Sequence, residues 1–283
     1  MKKIKLLLCL FILTTLCGCS NSNKNASSKT LNAAMFWIST SLDPTNNYDG
    51  WVLSRIGVGE TLLKLNEKYE VEPCLAKSYE QIDDTTWKLT LKDHITFSNG
   101  KKVTGENVKA CLERAFEKNT RAIDYFDLNH VEAKGQDVYL YLNKSSGAIL
   151  NNLCEPLFII YDTSQSEEDI ANHPLCTGPF VVDDFVSEKT IDTSKNKEYY
   201  DGKAKLDHVH FSQVADSDAR VLALQSGEVD LANTIDYSSL KLFRNNKDYQ
   251  VLEVLGPRTN VIYMNNETTF LSDLTIRKAL SYS

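Results

Sequence analysis

The chain has 283 residues, of which 42% are hydrophobic and 24% charged, a composition typical of one large or two smaller globular domains. Its formal net charge of −7 becomes −10 if the three lysines of residues 1–18 are removed, and it contains no long basic run. An acidic chain of this kind argues against nucleic acid as a partner and is compatible with cationic cargo.

Residues 1–18 predict a signal peptide. Three lysines precede an apolar run from Leu6 to Leu16, which is too short to span a bilayer. The run ends in Leu16-Cys17-Gly18-Cys19, which resembles the bacterial lipobox. The resemblance implies cleavage before Cys19 and attachment of a lipid to its thiol, and the alternative is an ordinary cleaved signal with a chance cysteine. Residues 19–30 are rich in Ser, Asn and Lys and predict a flexible tether.

The pattern of the next hundred residues changes type often, as in an α/β protein. Leu31 to Ile38 predicts a buried strand, and Val52 to Leu65 has helical character interrupted by Gly57 and Gly59. A half-buried strand and a following hairpin are predicted by Trp87, Leu89, Leu91, Ile95, Phe97 and the dipeptide Asn99-Gly100.

The strongest helix prediction begins at the capping residue Thr104, with Glu106 in its first turn. Its apolar stripe consists of Val108, Cys111, Leu112, Ala115 and Phe116.

Later elements have shorter signals. Three further strands are indicated by Val138–Leu142, by Phe180 with Val182, and by Val209 with Phe211. A helix capped by Ser217 or Asp218 is expected to run to about Gln225 and to stop at Ser226-Gly227, and another amphipathic helix begins at Ser272.

No catalytic motif is present: the sequence has no nucleophile elbow, zinc-protease helix or phosphate-binding loop, so we expect neither an enzyme nor a cofactor. His208 and His210 would share one face of a strand, but no Cys or carboxylate cluster completes a metal site, and we expect none. Four cysteines follow Cys19, namely Cys74, Cys111, Cys154 and Cys176. Cys111 is expected to be a small buried hydrophobe, and a Cys154–Cys176 disulfide is left open.

Six phrases in order carry a family resemblance. They are Leu42-Asp43-Pro44, Leu75-Ala76-Lys77-Ser78-Tyr79, the run from Trp87 to Gly100, Thr177-Gly178-Pro179-Phe180, the run from Ala223 to Asp230, and the run from Arg277 to Tyr282. This order resembles the family 5 extracellular solute-binding proteins, the peptide/nickel class of ABC-importer receptors. Cys176 and Cys74 depart from the residues usual in the family at those positions.

The resemblance implies an α/β fold: the first lobe of a two-lobe periplasmic-binding-protein type II-like architecture. Residues 31–271 are then expected to form lobe I, with an inserted subdomain at about 62–174. Members of the family are nearly twice this length, so residues 272–283 are expected to open a second lobe that is truncated here.

The resemblance also suggests residues that contact cargo. Arg121 resembles the position at which nickel-type members pair an arginine with a carboxylated chelator, and Tyr125 follows it; a solvated loop arginine is the alternative. Trp37 and Trp51 flank the Leu-Asp-Pro turn, where they line either the cleft or the core. Nickel-type members carry a second arginine shortly after the position of Pro156, where this chain is apolar, which favours a peptide or an uncharged cargo.

The sequence therefore predicts a monomeric, extracytoplasmic, lipid-anchored substrate-binding protein that delivers a peptide or similar small solute to an ABC permease. Uptake of nickel or a nickel chelate is the alternative within the class. A sensory or adhesion lipoprotein that reuses the fold is the alternative from another class.

Overall fold

A computed structural model describes residues 28–254, 256 and 261–282. The predicted signal peptide, Cys19 and most of the tether lie outside the described residues. The chain divides into two compact units, the first ending at Asp236 and the second beginning at Tyr237. Helices and strands alternate along the first unit, and the predicted α/β class is confirmed.

Eleven strands lie in the described residues. They are β1 (Thr30–Met35), β2 (Leu63–Leu65), β3 (Val71–Pro73), β4 (Ala76–Gln81), β5 (Thr86–Leu91), β6 (Leu128–Lys134), β7 (Asp137–Leu142), β8 (Phe180–Val186), β9 (Thr190–Lys195), β10 (His208–Gln213) and β11 (Leu231–Ala232).

The α-helices of the same residues are mostly short. They are α1 (Gly50–Arg55), α2 (Gly105–Lys118), α3 (Ala122–Tyr125), α4 (Ile149–Asn152), α5 (Glu167–Asn172), α6 (Ser217–Ser226) and α7 (Leu274–Tyr282), with 3₁₀ turns at Pro156–Phe158 and Tyr237–Leu242.

The first unit contains a mixed five-stranded sheet in the order β11-β1-β10-β9-β8. Strand β1 runs parallel to both β10 and β11, whereas β10, β9 and β8 form an antiparallel meander. The parallel pairing joins the first described strand to residues near the end of the unit, as when Leu31 pairs with Val209.

A second sheet of the same unit has the order β4-β5-β7-β6 and is antiparallel throughout. Helix α2 contacts β6 and β7. Its buried residues include Val108, Cys111, Leu112 and Ala115, so the predicted apolar stripe and the buried Cys111 are confirmed. Thr104 and Asn107 form a capping box at its start, as the sequence led us to expect for Thr104.

Strands β2 and β3 form a third, two-stranded antiparallel sheet. One large cluster of buried apolar side chains includes residues from the five-stranded and four-stranded sheets and from α2. A smaller cluster of Ala34, Ala223 and Val229 lies under α6. The interval 62–174, predicted as an inserted subdomain, contains the whole four-stranded sheet, and its status as a subdomain stays a prediction.

Two local predictions differ in part from the structure. The predicted interruption at Gly57 is confirmed, since α1 ends at Arg55 and Gly57 takes a left-handed backbone (φ 72°), but Leu63–Leu65 form strand β2 and not helix. The N-cap of α6 is Asp216, whose side chain accepts from Ala219 N at 2.8 Å, rather than Ser217 or Asp218.

The second unit has fewer elements in its described residues. The rings of Phe243 and Tyr249 meet edge to face at 5.0 Å, and Arg244 pairs with Glu253 at 2.8 Å. Helix α7 begins two residues after the predicted Ser272, and Asp273 accepts from Thr275 N at 2.7 Å.

Candidate functional site

Three of the four residues predicted to contact cargo meet in the structure. Arg121 immediately precedes α3, Tyr125 ends α3, and Trp51 is the second residue of α1. All three lie around the carboxylate of Glu155, which stands just before the 3₁₀ turn. With Tyr48, these residues are called here the Arg121 cluster.

The guanidinium of Arg121 is held by several groups. Nη1 donates to Asn47 O at 2.8 Å, and Nη2 donates to the hydroxyl of Tyr125 at 2.6 Å. Its Cζ atom lies 3.7 Å from the centre of the Tyr48 ring, a cation–π contact. The side chain is 24% exposed, so the guanidinium is oriented by protein groups while one part of it still faces solvent.

Glu155 is, with Tyr48, a member of the cluster that the sequence did not predict. Its Oε1 accepts from Trp51 Nε1 at 2.9 Å and lies 3.6 Å from Arg121 Nη2. Its side chain is only 13% exposed. Burial, and then the charge of Glu155, raises the pKa of Tyr125 to about 12, so this hydroxyl stays protonated at neutral pH.

A glycine explains why these segments meet. A Cβ on Gly50 would lie 2.3 Å from Pro156 O, far inside van der Waals contact. Only glycine therefore allows the start of α1 to approach the backbone of Pro156 this closely. The approach brings Trp51 next to Glu155.

Asn119 fixes the opposite side of the cluster. Its Nδ2 donates to the carbonyls of Thr45 and Asn47, each at 3.1 Å, and its Oδ1 accepts from Arg121 N at 3.0 Å. One buried amide thus holds the loop of Tyr48 against the start of α3.

Aromatic surface continues past Trp51. The guanidinium of Arg55 lies 5.4 Å from the Trp51 ring and 5.5 Å from the Phe36 ring. Tyr48 and Trp51 are 55% and 38% exposed, which gives the cluster two open aromatic side chains. Trp37 has different surroundings, since it is half-buried and packs against the main core.

A second polar network connects α2 to the Leu-Asp-Pro turn. Arg114 Nη1 and Nη2 donate to the two carboxylate oxygens of Asp43 at 2.8 and 2.7 Å, a bidentate pair. Nη1 also donates to Thr45 Oγ1 and to the hydroxyl of Tyr161, each at 2.7 Å. Burial raises the pKa of Asp43, but hydrogen bonds from Arg114 and Thr45 more than offset this effect and hold that pKa below its usual range.

The Thr-Gly-Pro-Phe phrase has a structural role. Thr177 Oγ1 donates to Glu60 at 2.8 Å, and the hydroxyls of Tyr200 and Tyr199 donate to the same carboxyl at 3.2 and 3.3 Å. Burial raises the pKa of Glu60 despite these three donors. Gly178 packs so closely on the preceding loop that an added Cβ would lie 2.5 Å from Gly57 O.

The histidines and cysteines do not assemble into a site in the described residues. His210 Nδ1 lies 2.7 Å from Asp192 Oδ1, and no group of three or more His, Cys, Asp or Glu in the described ranges is placed to hold a metal ion. The four described cysteines are free, so Cys154 and Cys176 are not bonded to each other. Within the same ranges, no helix has the length and apolar character that a membrane crossing requires.

Comparison with known proteins identifies one family. The profile described as "Bacterial extracellular solute-binding proteins, family 5 Middle" matches residues 70–283. The nickel-binding protein NikA of Staphylococcus aureus is 33% identical over 267 residues, which cover 94% of this chain and 53% of NikA. The glutathione-binding protein GsiB of Escherichia coli O1:K1 is 27% identical over 231 residues, covering 78% of this chain and 45% of GsiB.

Solved structures agree with the sequence matches. The structure of Staphylococcus aureus NikA in complex with Ni(L-His)2 superposes with a TM-score of 0.73, covering 78% of this chain and 46% of that one. The structure described as a nickel ABC transporter from Bacillus halodurans has a TM-score of 0.73 and 28% sequence identity, and the match covers 89% of this chain and 53% of that one. The chain thus spans about half the length of the curated relatives it matches.

Proposed function

The chain belongs to the bacterial extracellular solute-binding proteins, family 5, and from this membership we propose that it captures a small nickel chelate for an ABC importer. Solute-binding proteins of this family are extracytoplasmic, bind small ligands and are not enzymes. Support for a nickel cargo comes from the relatives, because a protein 33% identical to this chain is named nickel-binding and its structure holds Ni(L-His)2.

The Arg121 cluster is the ligand-binding surface in this proposal. Arg121 Nη2 already donates to Tyr125, but its contact to Glu155 at 3.6 Å is longer than a hydrogen bond. The group therefore retains a donor for a carboxylate of the chelating amino acid. The exposed rings of Tyr48 and Trp51 add flat surface against which an imidazole or the chelate ring can stack.

Short peptides are the second candidate cargo. The observation that favours them is the match to a glutathione-binding protein, since glutathione is a tripeptide. A peptide also has a terminal carboxylate for Arg121, so both cargoes use the same donor.

We also propose that the mature protein begins at Cys19 and is anchored to the membrane through a lipid on that residue. The lipobox-like sequence Leu16-Cys17-Gly18-Cys19 supports this proposal. An anchor would hold the receptor beside the permease and so raise its effective concentration there.

Calorimetric titration of the purified chain with Ni(L-His)2, NiCl2 and glutathione tests the cargo proposal. Arg121→Ala is expected to weaken binding of the preferred probe by about 1.5–3 kcal/mol, the range for hydrogen bonds to charged groups. Arg244→Ala, which removes an arginine paired with Glu253 in the second unit, is the matched control and is expected to leave affinity unchanged. Equal affinities for Arg121→Ala and the parent would remove Arg121 from the site, and native mass spectrometry of the chain with its cargo would identify the ligand directly.

A further inference from the structure

The Arg121 cluster contains its own counter-charge. Glu155 lies 3.6 Å from Arg121 Nη2, and its side chain is 13% exposed. We propose that Glu155 is a specificity-determining residue that disfavours solutes with a net negative charge. This inference rests on the proposed function, because it concerns the charge of the solute that the same cluster binds.

The carboxylate is held in this position by neighbouring groups. Trp51 Nε1 donates to Oε1 at 2.9 Å. The backbone is also fixed, since Glu155 N donates to Asn152 O at 3.1 Å and Glu155 O accepts from Phe158 N at 2.9 Å. Pro156 follows at once and restricts the backbone further. These contacts place the carboxylate of Glu155 beside the guanidinium of Arg121.

The position of this charge determines what a solute experiences. A ligand carboxylate that approaches Arg121 Nη2 also approaches Glu155 Oε1, because the two protein atoms are less than 4 Å apart. Repulsion by the second group then offsets much of the attraction by the first. One ligand carboxylate can still accept a hydrogen bond, but a net negative charge gains little from the cluster as a whole.

The remaining surface of the cluster suits a neutral solute. The Tyr48 ring is covered on one side by the Arg121 guanidinium, and the Trp51 ring lies beside Arg55. Arg121 and Glu155 have opposite charges less than 4 Å apart, so this pair presents no net charge to the solute. The solute class that matches is an uncharged chelate or a peptide whose charges balance.

Glu155→Gln tests the inference, because the amide oxygen can still accept from Trp51 Nε1 while the charge is lost. The probes are Ni(L-His)2, which has no net charge, and Fe(III)-EDTA, which has a charge of −1. The measured quantity is the ratio of their dissociation constants in calorimetric titrations at low salt. Glu155→Gln is expected to shift this ratio at least about tenfold in favour of Fe(III)-EDTA, and added salt should reduce the shift.

Two control variants separate charge from shape. Tyr48→Leu removes an exposed ring of the cluster but leaves Glu155 and its donor Trp51 in place, so it is expected to change both affinities together and to leave the ratio near that of the parent. Glu228→Gln removes an equal charge from an exposed position after α6 and should leave the ratio unchanged.

The outcomes distinguish the two proposals. If Ni(L-His)2 binds the parent and Glu155→Gln has the parent ratio, the inference is wrong while the proposed function stands. If peptides bind instead of chelates, a tripeptide and its C-terminal amide replace the two probes. The tripeptide with the free carboxylate is the more negative of the two, and Glu155→Gln is expected to shift the ratio of dissociation constants in its favour. If neither chelates nor peptides bind the parent or Glu155→Gln, both proposals are wrong.

Discussion

Replacement of Arg114 by Met is expected to destabilise the protein by about 3–5 kcal/mol at pH 7. The side chains of Arg114 and Asp43 are 11% and 12% exposed, and their two hydrogen bonds measure 2.7 and 2.8 Å. Removal of the guanidinium leaves Asp43 as a buried carboxylate without its cation, and a broken buried pair costs about this much. The contact to Glu167 adds little, because that carboxylate is 65% exposed.

The pH dependence provides the sharper test of the Arg114 network. In the parent, the pKa of Asp43 is held below its ordinary value, so the pair contributes its full stability at neutral pH and the contribution is lost as the pH falls through the folded pKa. In Arg114→Met, burial acts without the guanidinium and raises the pKa of Asp43 above its unfolded value. The carboxylate is then protonated on acidification, so the loss relative to the parent should shrink between pH 7 and about pH 4.5.

Urea unfolding of the two proteins at both pH values measures this difference, provided that the slopes of the transitions agree. The double variant Asp43→Asn with Arg114→Met should recover part of the lost stability, because no unpaired charge remains. Glu167→Gln is the control and should cost less than about 1 kcal/mol. The reasoning would be refuted if Arg114→Met lowered the free energy of unfolding by less than about 1 kcal/mol. It would also be refuted if a larger loss were reduced neither by lowering the pH nor by adding Asp43→Asn.

Three other changes have defined outcomes. Cys19→Ser should abolish labelling with palmitate and release the protein from the membrane fraction. Gly178→Ala should destabilise the fold by at least about 2 kcal/mol, because the added Cβ would lie 2.6 Å from Val58 O. Gly147→Ala is the control: its added Cβ would have no atom within 4 Å, so its stability should stay within about 0.5 kcal/mol of the parent. Burial and the charge of Asp43 raise the pKa of Asp49 to about 6. The folded protein therefore binds more protons than the unfolded chain between about pH 4 and pH 6, and its stability should fall as the pH rises through that range. Asp49→Asn should remove about 1–2 kcal/mol of that loss after allowance for solvent screening.

Each of these predictions has a contrary result. Continued labelling of Cys19→Ser would rule out the lipid on that cysteine. Equal unfolding midpoints for the two glycine variants would show that the backbone at Gly57 and Val58 can move away from an added Cβ at little cost. Identical pH profiles for the parent and Asp49→Asn would mean that Asp49 titrates in the folded state as it does in the unfolded chain.

Local features of the fold were predictable from the sequence because their causes are local. The helix after Thr104 has its cap, its first turn and its apolar stripe within fifteen residues, and α2 follows that pattern. The alternation of Trp87, Leu89 and Leu91 likewise predicted β5. Gly57 also predicted the end of α1, but the helical character assigned to residues 63–65 was wrong, because apolar spacing in so short a segment does not distinguish a helix from strand β2.

The Arg121 cluster was predictable only in part, because it depends on contacts between distant segments. A resemblance suggested Arg121, Tyr125 and Trp51, and the structure brings these three together. Glu155 had no local signal, because its contacts are with Trp51 and Arg121, which are distant in the sequence. Its role follows from the approach of α1 to Pro156, which Gly50 permits and which no periodicity encodes.

The parallel pairing of β1 with β10 has a consequence for the order of folding. Thr30 pairs with His208, a separation of 178 positions, whereas the four-stranded sheet is built entirely from residues 76–142. Closing so long a loop costs entropy that is repaid only after both strands are in place, so the local sheet is expected to form early and the β1 edge late. Strand β1 has no parallel partner β10 until residue 208 has been synthesised, so the five-stranded sheet is expected to be completed only after the four-stranded one.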